Sequence, residues 1–389
     1  MPSPAYSAAA KPTVAQIDTC ATQHASTWMG CLIKSDPAFA NFPLSHVALP
    51  GSHDAASYEL DPQSADATAG SACAPTAAAH IPGAMLVRWS TTQDEPLTVQ
   101  LDKGVRYLDL QVAYNGNGAP VNGWRIANTL FSQRPLFDYL DDVATWAHRH
   151  PSEIVIVDVR SVCYDNAPNQ VAVDGLWANF ATRAASGGAT LADVAANAAS
   201  LGAPVSEASI NQLTTSSPGH NVVLLVPGSA RDASLLTARF RVSAAFTSAG
   251  SNAVPQVLRA LVNPGVAPQS SSEMQQAAEM LQSFPLVNQP VLGSLAGHGL
   301  YVDQLAFAFS GQPALLTAFG GLIHPFTFAG KRGAIATLQP WEAMLLGSPP
   351  SSLNRASIVR AWTHPAIVIS DAVEMGGFIP AVLALNATQ

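Results

Sequence analysis

Five short apolar runs rich in β-branched residues, separated by helix-like stretches, constrain this chain more than any other feature. They are Val47 to Pro50, Val105 to Val112, Ile154 to Val159, Val222 to Val226 and Ala366 to Ile369. Each reads as a buried strand. Between the second and third lies the amphipathic stretch Leu136 to His148, and between the third and fourth the alanine-rich Leu176 to Ser200. Both have Asp near the start and Gly or Pro soon after the end, the usual punctuation of a helix. Strand and helix in alternation imply a parallel sheet with crossover helices. With 389 residues and no nucleotide-type Gly loop, a single distorted (β/α) TIM-type barrel is favoured over a doubly wound sheet. The expected class is therefore α/β, with residues 41–389 forming the barrel and residues 1–40 an N-terminal extension packing on it. No internal repeat is found. Asp61 to His80, rich in Ala, Ser and Thr, is expected to be a surface insertion near the barrel mouth, and Pro264 to Ser272 a second loop.

Composition narrows the function classes. At 48% hydrophobic and 11% charged residues the chain can bury a large core, which excludes disorder as its main theme. Eighteen Lys and Arg against 26 Asp and Glu give a net charge of −8, so no nucleic-acid partner is expected. The apolar runs are broken by Gly, Pro, Ser or Asn well short of the roughly 20 residues of a membrane helix, so no stable membrane insertion is expected either. Cys20, Cys31, Cys73 and Cys163 lack the CxxC spacing of a zinc site, and both simple packing and one or two bridges are open. Met1 to Thr19 has one lysine and no continuous apolar stretch, so as it stands the sequence points to the cytoplasm, and to secretion if the chain has been trimmed.

Two segments carry chemistry. Leu49-Pro50-Gly51-Ser52-His53-Asp54 follows the first apolar run, and a turn there sets His53 at the C-terminal end of a strand, the face where barrel active sites are built. The competing reading, of equal weight on this segment alone, is that His53 and Asp54 cap the next helix. In Gly104 to Gln111, period-two alternation puts Asp109 and Gln111 on one face of a strand. An acid inside an apolar strand is costly unless paired, so Asp109 needs a partner, either a structural Arg or a catalytic His. The His148-Arg149-His150 cluster closes an amphipathic helix before Pro151 and reads as structural.

In order along the chain, Leu49 to Asp54, Trp89 to Asp94, Leu97 to Gln111, Phe137 to Arg160 (with His150-Pro151-Ser152-Glu153 leading into Ile154 to Val157) and Ile367 to Asp371 resemble the phosphatidylinositol-specific phospholipase C X-domain family, within the PLC-like phosphodiesterase superfamily. The likeness covers the first half and the last 30 or so residues, and no motif matches between about 170 and 350. It implies a reaction shared by two histidines. One takes a proton from the inositol hydroxyl that attacks phosphorus, and the other protonates the departing oxygen. His53 matches the first, and Asp371 stands where a carboxylate orients that ring. At the second, the chain has Ala127 with Asn128 beside it, and Gln111 replaces the Arg or acid expected two residues after Asp109. Ordinary inositol phospholipid cleavage is therefore expected to be impaired. Arg125 and Arg160 are candidates for lost positive charge and His298 for the lost acid; with Asp54, Gln111 and Asn128 they make up the expected substrate-binding set. Calcium-dependent members use two acids on the strand that here carries only Asp109, so no resident metal is expected, Ca²⁺ or Mg²⁺ being the cations to test. The expected partner is a small molecule or phosphodiester substrate. Beside a phosphodiesterase using His53 as base, the alternatives are a small-molecule lyase, dehydratase or cyclase working by proton abstraction, and a non-catalytic binding module.

Overall fold

A computed structural model describes residues 11–64, 82–114, 123–164, 194, 208–214, 220–225, 302–304, 367–370, 373–374 and 378–387. The helix expected over Leu176 to Ser200, apart from Val194, lies outside these residues. So do the loop Pro264 to Ser272 and the part of the Asp61 to His80 insertion beyond Ser64.

The chain enters through α1 (Val14–Gln23), whose first turn is closed by a reciprocal capping box between Thr13 and Gln16. The next helix, α2 (Trp28–Ser35), is tied to it by a Cys20–Cys31 disulfide. Then follow β1 (Leu49–Ser52), α3 (Gly83–Ser90), α4 (Leu97–Asp102) and β2 (Tyr107–Tyr114). A hairpin of β3 (Trp124–Asn128) and β4 (Leu130–Pro135) leads into α5 (Leu136–Arg149) and β5 (Val155–Tyr164). The remaining elements are α6 (Ile210–Thr214), β6 (Val222–Leu225), β7 (Val302–Gln304), β8 (Ile367–Ser370) and α7 (Phe378–Ala384).

All eight strands belong to one mixed sheet, which is not closed among the described residues. Its parallel part runs β7-β8-β1-β2-β5-β6. The first half of β2 pairs with β1 (Gly51 with Tyr107, Ser52 with Leu108), and its second half pairs antiparallel with β3 (Val112 with Ile126, Tyr114 with Trp124). The eight-residue length of β2 is what lets one strand edge serve two neighbours. The five apolar runs all become strands, shifted by up to a few residues. The short β7 and the hairpin β3–β4 are the additions: the hairpin's strands are short and mixed in polarity, and its turn is made by Thr129 at φ 65 rather than by a glycine signal.

Helix α5 lays Leu136, Leu140, Val143, Ala144 and Ala147 into the core, the spacing of one helical face, and its termini suit the dipole, with Asp138 in the first turn and His148 and Arg149 in the last. Ile17, Trp28, Met29 and Leu32 from α1 and α2 belong to the same buried cluster as the strands. Gly51 in β1 is sterically required. A Cβ there would come within 2.6 Å of Ile369 Cγ2 and 3.1 Å of Tyr107 Cδ1. Gly51→Ala is expected to cost about 1–3 kcal/mol through overpacking, read as a lower urea midpoint; an unchanged midpoint would contradict the packing argument.

Candidate active site

His53 follows the last residue of β1 and is 7% exposed. The chain turns at once, through Asp54 at φ 43, a left-handed conformation that Asp tolerates better than most residues. The turn is fastened to β2 by Asp109 in two ways. The Ala55 N–H donates to the Asp109 carbonyl at 2.8 Å, and the Asp54 N–H lies 3.4 Å from Asp109 Oδ2. The side chains converge as a result: His53 Nε2 is 3.5 Å from Asp54 Oδ2 and 4.0 Å from Asp109 Oδ2. All three residues are buried. These separations are longer than direct N–H···O bonds, so the ring is held in the field of two carboxylates.

From the other side the loop is held by Thr92 and Gln93. The Thr92 hydroxyl donates to the His53 carbonyl at 2.9 Å, the Gln93 Nε2 donates to the same oxygen at 3.0 Å, and both backbone N–H groups reach Ser57 Oγ. On β2, Tyr107 lies against Gly51 and its hydroxyl donates to Asp158 Oδ2. Asp158 is in register with Asp109 on the neighbouring strand, which places two buried carboxylates side by side on one face of the sheet. Asp158 was not among the expected residues. Its signal is the one that singles out Asp109, an acid inside an apolar run.

The other expected residues are distributed as follows. Gln111 is half-buried on β2, on the face of Asp109. Continuing the β2–β3 register puts Ala127 opposite Gln111, fully buried in a small cluster with Ala113 and Phe131. The Asn128 amide donates to the Ser90 carbonyl at 2.7 Å, holding the end of α3. The Arg125 guanidinium donates to the carbonyls of Gln133 and Ser132 on β4. Arg160 is the extra residue where β5 slips against β2, between the Val159–Leu110 and Ser161–Gln111 pairs. Such bulges are frequent beside active sites. The Arg160 side chain, Asp371 and His298 lie outside the described residues. His150 stacks on Trp146 at 4.0 Å, in line with a structural role for its cluster.

Among the described residues, His53, Asp54 and Asp109 are the group whose ligand atoms, all within 4.8 Å of one another, could hold a cation. One imidazole and two carboxylates, one of them already engaged by a backbone N–H, fall short of the six to eight oxygens Ca²⁺ takes, and Gln111 adds no charge.

Residues 80–173 match the family model PI-PLC X, described as PI-PLC X 1. Over this segment the chain is similar to PI-PLC X domains. The mouse (Mus musculus) PI-PLC X domain-containing protein 1 is 34% identical over 137 residues, covering 34% of this chain and 39% of that protein. Human (Homo sapiens) PI-PLC X domain-containing protein 2 is 34% identical over 134 residues, covering 34% of this chain and 42% of that protein. The match thus spans about two fifths of the length of these curated relatives. Among solved structures, a mutant of the phosphatidylinositol-specific phospholipase C from Staphylococcus aureus aligns with TM-score 0.48 at 14% identity, over 95% of this chain and 99% of that one. The phosphatidylinositol-specific phospholipase C from Listeria monocytogenes aligns with TM-score 0.41 at 14% identity, over 89% of this chain and 95% of that one.

Proposed function

We propose that this PI-PLC X-like chain cleaves a soluble phosphodiester with His53 as general base, on a sheet that closes into a distorted (β/α) TIM-type barrel with residues 1–40 packed on it. Closure is supported by the strand order. Among the described strands the first, β1, pairs with the last, β8, and the open ends of the parallel part are β6 and β7, which follow one another in chain order. The functional reading is carried by one observation: at the C-terminal end of β1, His53 Nε2 faces Asp54 and Asp109 at 3.5 and 4.0 Å.

In this reading a substrate hydroxyl gives its proton to the imidazole, its oxygen bonds to phosphorus, and the P–O bond to the leaving group breaks. The positive charge developing on the ring is stabilised by the two buried carboxylates, with Asp371 orienting it. Ala127 offers the leaving oxygen no proton, so that proton comes from water or from His298, and Gln111 contributes no charge to the phosphate. Arg160 supplies positive charge and His298 is the remaining acid candidate. Loss of a general acid costs a factor of about 10² to 10⁴, so cleavage of ordinary inositol phospholipid is slow.

The test is phosphorus NMR of a soluble inositol phosphodiester incubated with the full chain, with and without chelator. Slow consumption, insensitive to EDTA, is expected, and the double variant Ala127→His with Gln111→Arg should be at least about tenfold faster. No consumption by either protein would remove the proposal.

A further inference from the structure

Gln93 is 1% exposed and bridges the turn at His53 to Val373, which lies 280 residues beyond Gln93 in the chain. Its Nε2 donates to the His53 carbonyl at 3.0 Å, while its Oε1 accepts from the Val373 N–H at 3.2 Å. Its own N–H is anchored on Ser57 Oγ at 3.2 Å, and the same hydroxyl lies 2.6 Å from the Thr92 hydroxyl, which holds the His53 carbonyl a second time. Val373 stands two residues after Asp371, in the chain leaving β8. One amide group therefore has its donor on the loop carrying the base and its acceptor on the loop carrying the expected orienting carboxylate.

We infer that Gln93 is a positioning residue that fixes the His53 turn against the chain leaving β8, so that the imidazole keeps its place relative to both Asp109 on β2 and the Asp371 loop. The inference rests on the reading of His53 as the base but not on turnover. A primary amide is the group this place requires, because it must donate at one end and accept at the other. A carboxylate of the same shape accepts at Val373 but meets the His53 carbonyl oxygen to oxygen, and a shorter amide cannot span both. Loss of placement by about 1 Å is enough for a rate loss near 10²-fold.

The experiment is histidine-ring NMR on the full chain for wild type, Gln93→Glu and Gln93→Asn, alongside the phosphodiester assay. In wild type, titrating the His53 ring should shift the Gln93 side-chain amide and the Val373 N–H together with it. In both variants the His53 ring signals should move while those of His24 and His148 stay in place; turnover should fall about 10- to 100-fold in kcat with KM little changed. The wild-type titration needs no variant to fold, and silence of the Gln93 and Val373 signals in it overturns the inference. So does an unmoved His53 ring in either folded variant. Wild type that shows the coupling but never consumes the phosphodiester would sink the proposed function and leave the positioning role standing.

Discussion

His53→Ala is expected to reduce phosphodiester turnover by at least about 10² to 10⁴-fold, to the background of the assay. The ring is the group in the described site that can take a proton and become a cation between two anions, and neither Asp54 nor Asp109 can substitute at the same point. A loss of this size should come with little loss of fold. His53 sits in a turn that is held by backbone groups, through the Ala55 N–H to the Asp109 carbonyl and through Thr92 and Gln93 to the His53 carbonyl. Alanine keeps all of these. The comparison variant Asp109→Asn keeps the shape of the β2 side chain and removes one of the two charges facing Nε2, so it should fall between wild type and His53→Ala. Initial rates, with the circular dichroism and thermal midpoint of each protein, check the ordering. Full activity in a folded His53→Ala protein would end the general-base reading.

Much of this arrangement could be read in advance because its residues break a pattern. Asp109 is visible as an acid in an apolar strand, and His53 as an imidazole at a strand end after Leu-Pro-Gly. The strands themselves were legible because buried parallel strands are uniformly apolar. What escaped has no such contrast. Thr92 and Gln93 fall in the segment Trp89 to Asp94 that is legible by likeness, but their role is not, because it depends on which carbonyl lies within reach, a matter of tertiary placement. The β3–β4 hairpin has neither an apolar run nor a glycine turn. Ala127 illustrates the limit from the other side: its place is legible by likeness, yet only the register shows that it faces Gln111 from within a small apolar cluster. Asp158 could have been found by the rule that found Asp109.

Breaking the Arg106–Glu153 pair should produce the largest stability effect, about 3–5 kcal/mol for Glu153→Leu or Arg106→Met, seen as a lower urea midpoint. Both side chains are fully buried, with Arg106 Nη2 2.6 Å from Glu153 Oε2. Burial pushes the Arg106 guanidinium below its ordinary range while the Glu153 charge pulls it back up. The group is tolerated because every direction is satisfied. Arg106 donates at 2.8 Å to the carbonyls of Leu101, Val105 and Ser26, its guanidinium carbon lies 5.7 Å from the Trp28 ring centroid and 4.9 Å from that of Trp146, and Glu153 accepts the Gly30 N–H at 2.8 Å and the Met29 N–H at 3.2 Å. Removing either partner strands the other in the core, whereas Arg106→Met with Glu153→Leu removes both charges. The double variant should therefore be less destabilised than the sum of the singles by at least about 1 kcal/mol; simple additivity would show that the pair is not coupled. The placement matters for the chemistry above it. Arg106 precedes Asp109 by three residues and Glu153 precedes Asp158 by five, so the ion pair joins the starts of β2 and β5 below the point where their carboxylates stand in register. A folded single variant should thus lose turnover more steeply with rising urea than wild type, because the strands that set the distance from Asp109 to His53 are released first.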